Sequence, residues 1–371
     1  MRIFVLASLL AGGCGSHGTT EARSTMPPSA PHASEACTVH PRQVSPPGRA
    51  GVHPHLAASG GVFAVVWEDS DDQHRGVHFQ SLDAQANPVG PSVEVADLDR
   101  GGAEPRVISD GDGFAIVWTV DQPDSSAIVL RRVDAHGKPR GDLLPVVSAP
   151  NARALSATRL EDGFAVAWWS WSSDPPEQHL SWLDADGKPK GKPLSLSKGA
   201  LVEPQVDLAP IPGGVRAVWV EQVASADHLF TADVTPAGVQ GAIDLGAGSG
   251  PSLSKDGVVF ANLADGSVWR THGAVGKPTQ LGAGQSPEAA ADQVCLFRTI
   301  STVDLTTDEL RCVGLVGDRV ARDQRVASAP GGVLTLHVAS GDGAVGVVYQ
   351  TEADDLMSVQ FAALRCAAMI K

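Results

Sequence analysis

Most of the motifs that give an activity away are missing from this sequence. It has no Gly-x-Ser-x-Gly, His-Glu-x-x-His or Gly-x4-Gly-Lys-Ser/Thr stretch, which removes the readily recognised serine hydrolases, zinc proteases and P-loop enzymes. No Cys-x-x-Cys pair occurs, and no metal site is expected. Basic residues are few: 28 Lys and Arg stand against 42 Asp and Glu, for a formal charge of −14. Without a basic stripe to neutralise phosphates, nucleic acid is excluded as a general partner. No apolar run is long enough to cross a bilayer, and no amphipathic helical pattern of useful length appears.

What is abundant is turn chemistry, with 40 Gly and 26 Pro in 371 residues, and between the turns one phrase recurs. Gly61-Val62-Phe63-Ala64-Val65-Val66-Trp67 is echoed by Gly113-Phe114-Ala115-Ile116-Val117-Trp118, Gly163-Phe164-Ala165-Val166-Ala167-Trp168 and Gly214-Val215-Arg216-Ala217-Val218-Trp219. The tryptophans return about every 50 residues, a period that belongs to propellers, in which each small sheet buries its faces against its neighbours. Each unit reads as a Pro-marked strand, the Trp strand, a third strand ending in Asp, a turn and a fourth strand, which makes one blade. Beyond Trp219 the repeat decays, and Asn262, Phe297 and Tyr349 stand where Trp belongs. Seven anchors predict an all-β, seven-bladed propeller with four-stranded antiparallel blades, six or eight remaining open because the fifth and sixth steps are short.

The chain opens with one charge, Arg2, and the apolar run Ile3 to Ala11, the form of a secretory signal. Leu9-Leu10-Ala11-Gly12-Gly13-Cys14 resembles the lipobox of bacterial lipoproteins, although Ala11 stands three before the cysteine where Leu is usual. The resemblance implies lipidation at Cys14 and a cell-envelope anchor, with the outer membrane favoured because Gly15 rather than Asp follows; simple secretion is the alternative. Residues 15 to 36 are rich in Ser, Thr, Pro and Gly and read as a tether. The expected domains are therefore a signal at 1–13, a tether at 14–36 and one propeller at 37–371.

The last unit ends at its third strand, and the missing fourth is sought upstream in Thr38 to Ser45, which would close the ring and remove two open sheet edges. Four cysteines remain after Cys14, and three pairings are open to them. Cys295 and Cys312 lie on the second and third strands of one blade, while Cys37 and Cys366 flank the closure, so geometry prefers Cys295–Cys312 and Cys37–Cys366. The export reading permits both bonds.

Several patterns look chemical and read better as structure. Gly341-Asp342-Gly343-Ala344-Val345-Gly346 satisfies Gly-x-Gly-x-x-Gly but runs into a strand instead of opening a helix, so no nucleotide cofactor is expected. Asp184-Ala185-Asp186-Gly187 could wrap a cation, yet its sibling turns carry Gln85 or His136 at the second place, and turn chemistry explains the Asp and Gly. Two candidate sites survive. Trp169, Trp171 and Trp182 exceed what one blade needs and could form an aromatic platform for a sugar or peptide. On the first strands, alternation sets His55, Arg106, Gln205, Ser252 and Glu288 opposite Leu56, Val107, Val206 and Leu253, and so along a central channel; His53, Glu104 and Glu203 mark its mouth.

The repeat looks like the tryptophan-rich repeats of exported bacterial propellers, without the signatures of WD40 or kelch, and no activity follows from the likeness. The expected role is binding or scaffolding as a membrane-tethered monomer, with a protein, peptide or glycan ligand. A glycosidase or lyase using Glu104 and Glu203 beside His53 is the alternative. The anchor is testable: Cys14→Ser should move the protein from the membrane to the soluble fraction and abolish the mass increment of a lipid, with an unchanged melting temperature.

Overall fold

The computed structural model describes residues 37–366 except 71–74, 97–100, 123, 172–175, 198–203, 255–256, 263, 272, 274–277, 302–305, 318, 330–331 and 354–355. Cys14, the signal, the tether and Glu203 lie outside the described residues. Seven four-stranded antiparallel sheets form the structure. The first strand of each blade touches the first strand of the next, and that of blade 7 touches that of blade 1, so the blades form a closed ring. Six and eight blades are thereby excluded.

The anchors explain why the sheets stack. Trp118 packs into the core between blades 1 and 2, Trp168 between 2 and 3, and Trp219 between 3 and 4, while Trp67 joins blade 1 to blade 7. Each is essentially buried, a burial that contributes on the order of 2 to 3 kcal/mol. The residue directly across the sheet supports the ring: His78 stacks on Trp67 at 5.4 Å, His179 on Trp168 at 4.3 Å and Phe230 on Trp219 at 6.1 Å. In blades 5 and 6 the equivalent anchors are Phe260 and Leu296, which pack against blades 4 and 5 respectively. Asn262 therefore stands two residues beyond the anchor position, and Phe297 points the other way, into the core shared with blade 7. Period-2 alternation makes the latter a one-residue slip with the opposite face as its consequence.

The Asp-Gly turns are closed by their own side chains. Asp134 Oδ1 accepts from the amides of His136 and Lys138, and Asp184 Oδ1 from those of Asp186 and Lys188. A carboxylate so engaged serves the turn, not a cation. Gly137 is needed twice over, because its φ is +81° and a Cβ there would collide with Val93 and Phe79 of the preceding blade.

Closure occurs as the topology demands. Thr38–Gln43 pairs antiparallel with Leu356–Arg365, from Thr38 opposite Arg365 to Gln43 opposite Gln360, and supplies the outer strand of blade 7. Ser45 extends the seam by accepting the Val359 amide on Oγ at 2.9 Å. The disulfides are Cys37–Cys366 and Cys295–Cys312, the second a cross-strand pair within blade 6. The first spans 329 residues of sequence, and a chain-entropy estimate for so long a loop is on the order of 5 kcal/mol. Deleting residues 37–45 should lower the melting temperature more than Cys37→Ser does, because the deletion also bares the edge of blade 7. Calorimetry and size exclusion check this, with oligomers expected only for the deletion.

Candidate functional site at the channel

The first strands begin in an unusual way. His53, Glu104 and Ser286 have φ of 49°, 52° and 45°, each immediately before a proline, and Gly250 has φ 56° before Pro251. A left-handed non-Gly residue costs about 1 kcal/mol or more, and proline removes a ladder donor, so each site is a bulge at which pairing to the second strand slips. The preceding blade accepts the amides of three of these residues. Gln350 Oε1 takes that of His53 at 3.1 Å, Glu68 Oε2 that of Glu104 at 3.4 Å, and Gln205 Oε1 that of Gly250 at 2.8 Å. Glu68 and Gln350 each directly follow an anchor, Trp67 and Tyr349. Glu68 also meets His53 Nδ1 at 3.0 Å and is almost wholly buried; sequence reading missed it, although its place after Trp67 was the available signal.

Below the bulges, one polar side chain per blade faces the channel: His55, Arg106, Ser156, Asp207, Ser252, Glu288 and His337. Together they reach from blade to blade around the whole ring. His55 Nδ1 accepts the Val107 amide at 3.3 Å, and Arg106 Nε donates to the Leu155 carbonyl at 2.7 Å. Ser156 Oγ donates to Asp207 Oδ1 at 3.3 Å, and Asp207 Oδ2 accepts the Leu253 amide at 2.7 Å. Ser252 Oγ accepts the Ala289 amide at 3.0 Å and approaches Glu288 at 3.4 Å. Glu288 Oε1 lies 3.4 Å from His337 Nδ1, and His337 packs on His55 with ring centroids 4.5 Å apart.

The electrostatics of this belt follow from its depth. His55 is held well below the usual imidazole range by burial, then by His337 and Arg106, and its Nδ1 is accordingly free to accept an amide proton. Burial lowers the Arg106 guanidinium, opposed by Glu104 and Glu288. The Asp207 carboxyl is pushed up to about 6 by burial and by the charge of Glu288, against the pull of its three hydrogen-bond donors.

His55, Arg106, Ser252 and Glu288 all stand on the channel wall. Gln205 faces the same way but two residues higher, at the mouth, and Asp207 takes its expected place: blade 4 has no bulge and pairs continuously from Val206–Trp219 to Ile211–Gly214, so Pro204 lies outside the strand. Ser156 and His337 were not anticipated. His53 and Glu104 meet through Glu68. The three extra tryptophans separate: Trp169 and Trp171 form an edge-to-face pair at 5.6 Å at the mouth end of blade 3, whereas Trp182 is buried between blades 3 and 4 and cannot join a platform with them. Among the described residues no His, Cys, Asp and Glu cluster could hold a metal ion.

No family model and no curated protein matches the sequence. Among solved structures, the fold is similar to the subtype N10 neuraminidase-like protein of A/little yellow-shouldered bat/Guatemala/060/2010, at 9% identity and TM-score 0.52 over 89% of this chain and 99% of that one. A neuraminidase-like protein from A/bat/Guatemala/164/2009 aligns at 9% identity and TM-score 0.50 over 89% and 94%. At such identity the likeness is one of fold alone.

The belt has a pH signature. An imidazole whose folded pKa is depressed contributes stability that is complete above the unfolded value near 6.5 and is lost as pH falls through that value toward the folded one. His55→Asn should therefore narrow the fall in melting temperature between pH 7.5 and pH 5, measured by calorimetry against wild type. A variant with the wild-type slope would show that His55 does not titrate on unfolding.

Proposed function

We propose that this protein is an exported, lipid-anchored propeller that binds a ligand or partner on the face where the first strands begin. The observation that carries the reading is the distribution of exposed large apolar side chains. Trp171, Val223, Ile300 and Leu334 all sit at the mouth ends of strands, in blades 3, 4, 6 and 7, whereas Val316 and Val320 lie at the opposite end of blade 6. Trp171 is 53% exposed, and its contact with Trp169 holds a broad aromatic surface toward solvent, the kind of surface that marks recognition sites. The belt inside the channel is committed to joining blades, which leaves the mouth as the surface free to bind. Two disulfides accord with an oxidising, extracytoplasmic compartment. Anchoring through Cys14, placement in the outer membrane and action as a monomer complete the proposal.

A second reading, a glycosidase or lyase, is favoured by one feature. Asp207, with a carboxyl pushed up to about 6 beside Glu288, would hold a proton near neutral pH as a general acid does. The names of the similar folds lend it context, and the commitment of both carboxylates to neighbouring blades speaks against it.

Trp171→Ala should weaken binding on a glycan and peptide array at least tenfold with an unchanged melting temperature, while a fluorogenic glycoside panel that includes a sialoside should show no turnover that Asp207→Asn removes. Unaltered array binding by Trp171→Ala would sink the mouth-face reading. Turnover lost in Asp207→Asn would establish the enzyme instead.

A further inference from the structure

The mouth face is uneven, and blade 5 is low between its two neighbours. Beyond the anchor Trp219, the second strand of blade 4 continues for four residues to Val223, and that of blade 6 continues five beyond Leu296 to Ser301. The second strand of blade 5 stops two residues after Phe260, at Asn262, where the chain turns at once: Asn262 Oδ1 caps the Ala264 amide at 2.8 Å and its carbonyl accepts from Gly266 at 3.0 Å. At about 3.3 Å per residue, blade 5 lies roughly 7 to 10 Å below its neighbours. The recess is a cleft of about 520 Å³, within the range of small-molecule sites.

Its lining differs from the apolar patches around it. Blade 4 contributes Gln205 and Asp227, blade 5 Ser249 and Asn262, and blade 6 Gln285 and Ser286. Gln205 uses its oxygen on Gly250, which turns its amide donors to other use, and Asn262 likewise keeps its amide group. The side chains of Asp227, Ser249, Gln285 and Ser286 make no hydrogen bond to other described residues. Amides and hydroxyls offer both donors and acceptors in one small space, and a carboxylate accepts from adjacent hydroxyls. Among the described residues, the lining holds no Lys, Arg or His.

We propose that this cleft is a binding subsite for an uncharged, polyhydroxylated ring, a neutral sugar residue, and that it excludes acidic sugars. The assignment rests on the mouth face being the binding surface and names the ligand class for it. A neutral ring satisfies the amides and hydroxyls without stranding a charge, whereas an acidic sugar brings its carboxylate against Asp227 with no cation in the lining to receive it.

The experiment uses the purified full-length protein on an array of defined glycans ending in neutral hexoses, N-acetylhexosamines or sialic acid, followed by titration calorimetry on the tightest binder. Binding to neutral termini is expected, at least tenfold tighter than to sialic acid. Gln285→Leu, on an exposed position, and Asn262→Asp, which retains the acceptor for the Ala264 amide, should each weaken binding at least fivefold with an unchanged melting temperature. Asp227→Asn should narrow the gap between neutral and acidic termini. Preferential binding of sialic acid, or no glycan binding at all, would overturn the assignment. Glycan binding indifferent to Gln285→Leu and Asn262→Asp but lost in Trp171→Ala would overturn the cleft and leave the mouth face standing as the binding surface.

Discussion

Crowding at the centre governs this structure. Seven first strands converge on the channel, where their polar side chains are partly or fully buried and the amides of the next blade lie within their reach. An unpaired buried polar group costs about 1 to 3 kcal/mol, and seven blades multiply that penalty. The solution is a belt in which every blade reaches its neighbour, through an imidazole that accepts an amide proton at His55, a guanidinium on a carbonyl at Arg106, and carboxylates and hydroxyls from Ser156 round to Glu288. The tryptophans fill the spaces between blades further out.

That division of labour separates stability from recognition. Two groups that resemble catalytic ones, Asp207 and Glu68, each accept a backbone amide from the next blade, those of Leu253 and Glu104 respectively. The surface that remains uncommitted is at the mouth, where strand lengths vary and the ring's pseudo-symmetry breaks down. Variation among blades that are otherwise alike is where a propeller acquires its individuality, and blade 5 departs furthest from its siblings.

How much of this the sequence discloses depends on whether a residue's role is local. Trp67, Trp118, Trp168 and Trp219 announce their blades because packing between neighbouring sheets calls for one large ring per unit at constant phase, and the two disulfides follow once the blades are counted. The outer strand supplied by Thr38–Gln43 was legible as an absence elsewhere. Asp207 was hidden because a bulge is a one-residue event: four blades set their channel residue directly after proline, blade 4 does not, and no periodicity distinguishes the two cases. Phe260 and Leu296 were obscured for a similar reason, since anchors smaller than Trp leave the more polar Asn262 and the bulkier Phe297 to draw the eye. His337 belongs to contacts between segments far apart in the chain, and nothing in its immediate surroundings marks it, whereas Glu68 is marked only by its place directly after Trp67.

The bond between Cys37 and Cys366 changes the topology of the molecule as well as its stability. From one sulfur to the other the backbone is a covalent circle, and a circle has no privileged beginning. A protease that cuts one loop of the rim releases no fragment; it opens the circle at a new place and converts the domain into a circular permutant of itself, with its original ends joined through sulfur. Every blade still has both neighbours, and the belt at the centre is untouched. For a domain displayed outside the cytoplasm, where peptidases are plentiful and no chaperone with a nucleotide supply is at hand, survival of a single cut is built into the way the ring is fastened.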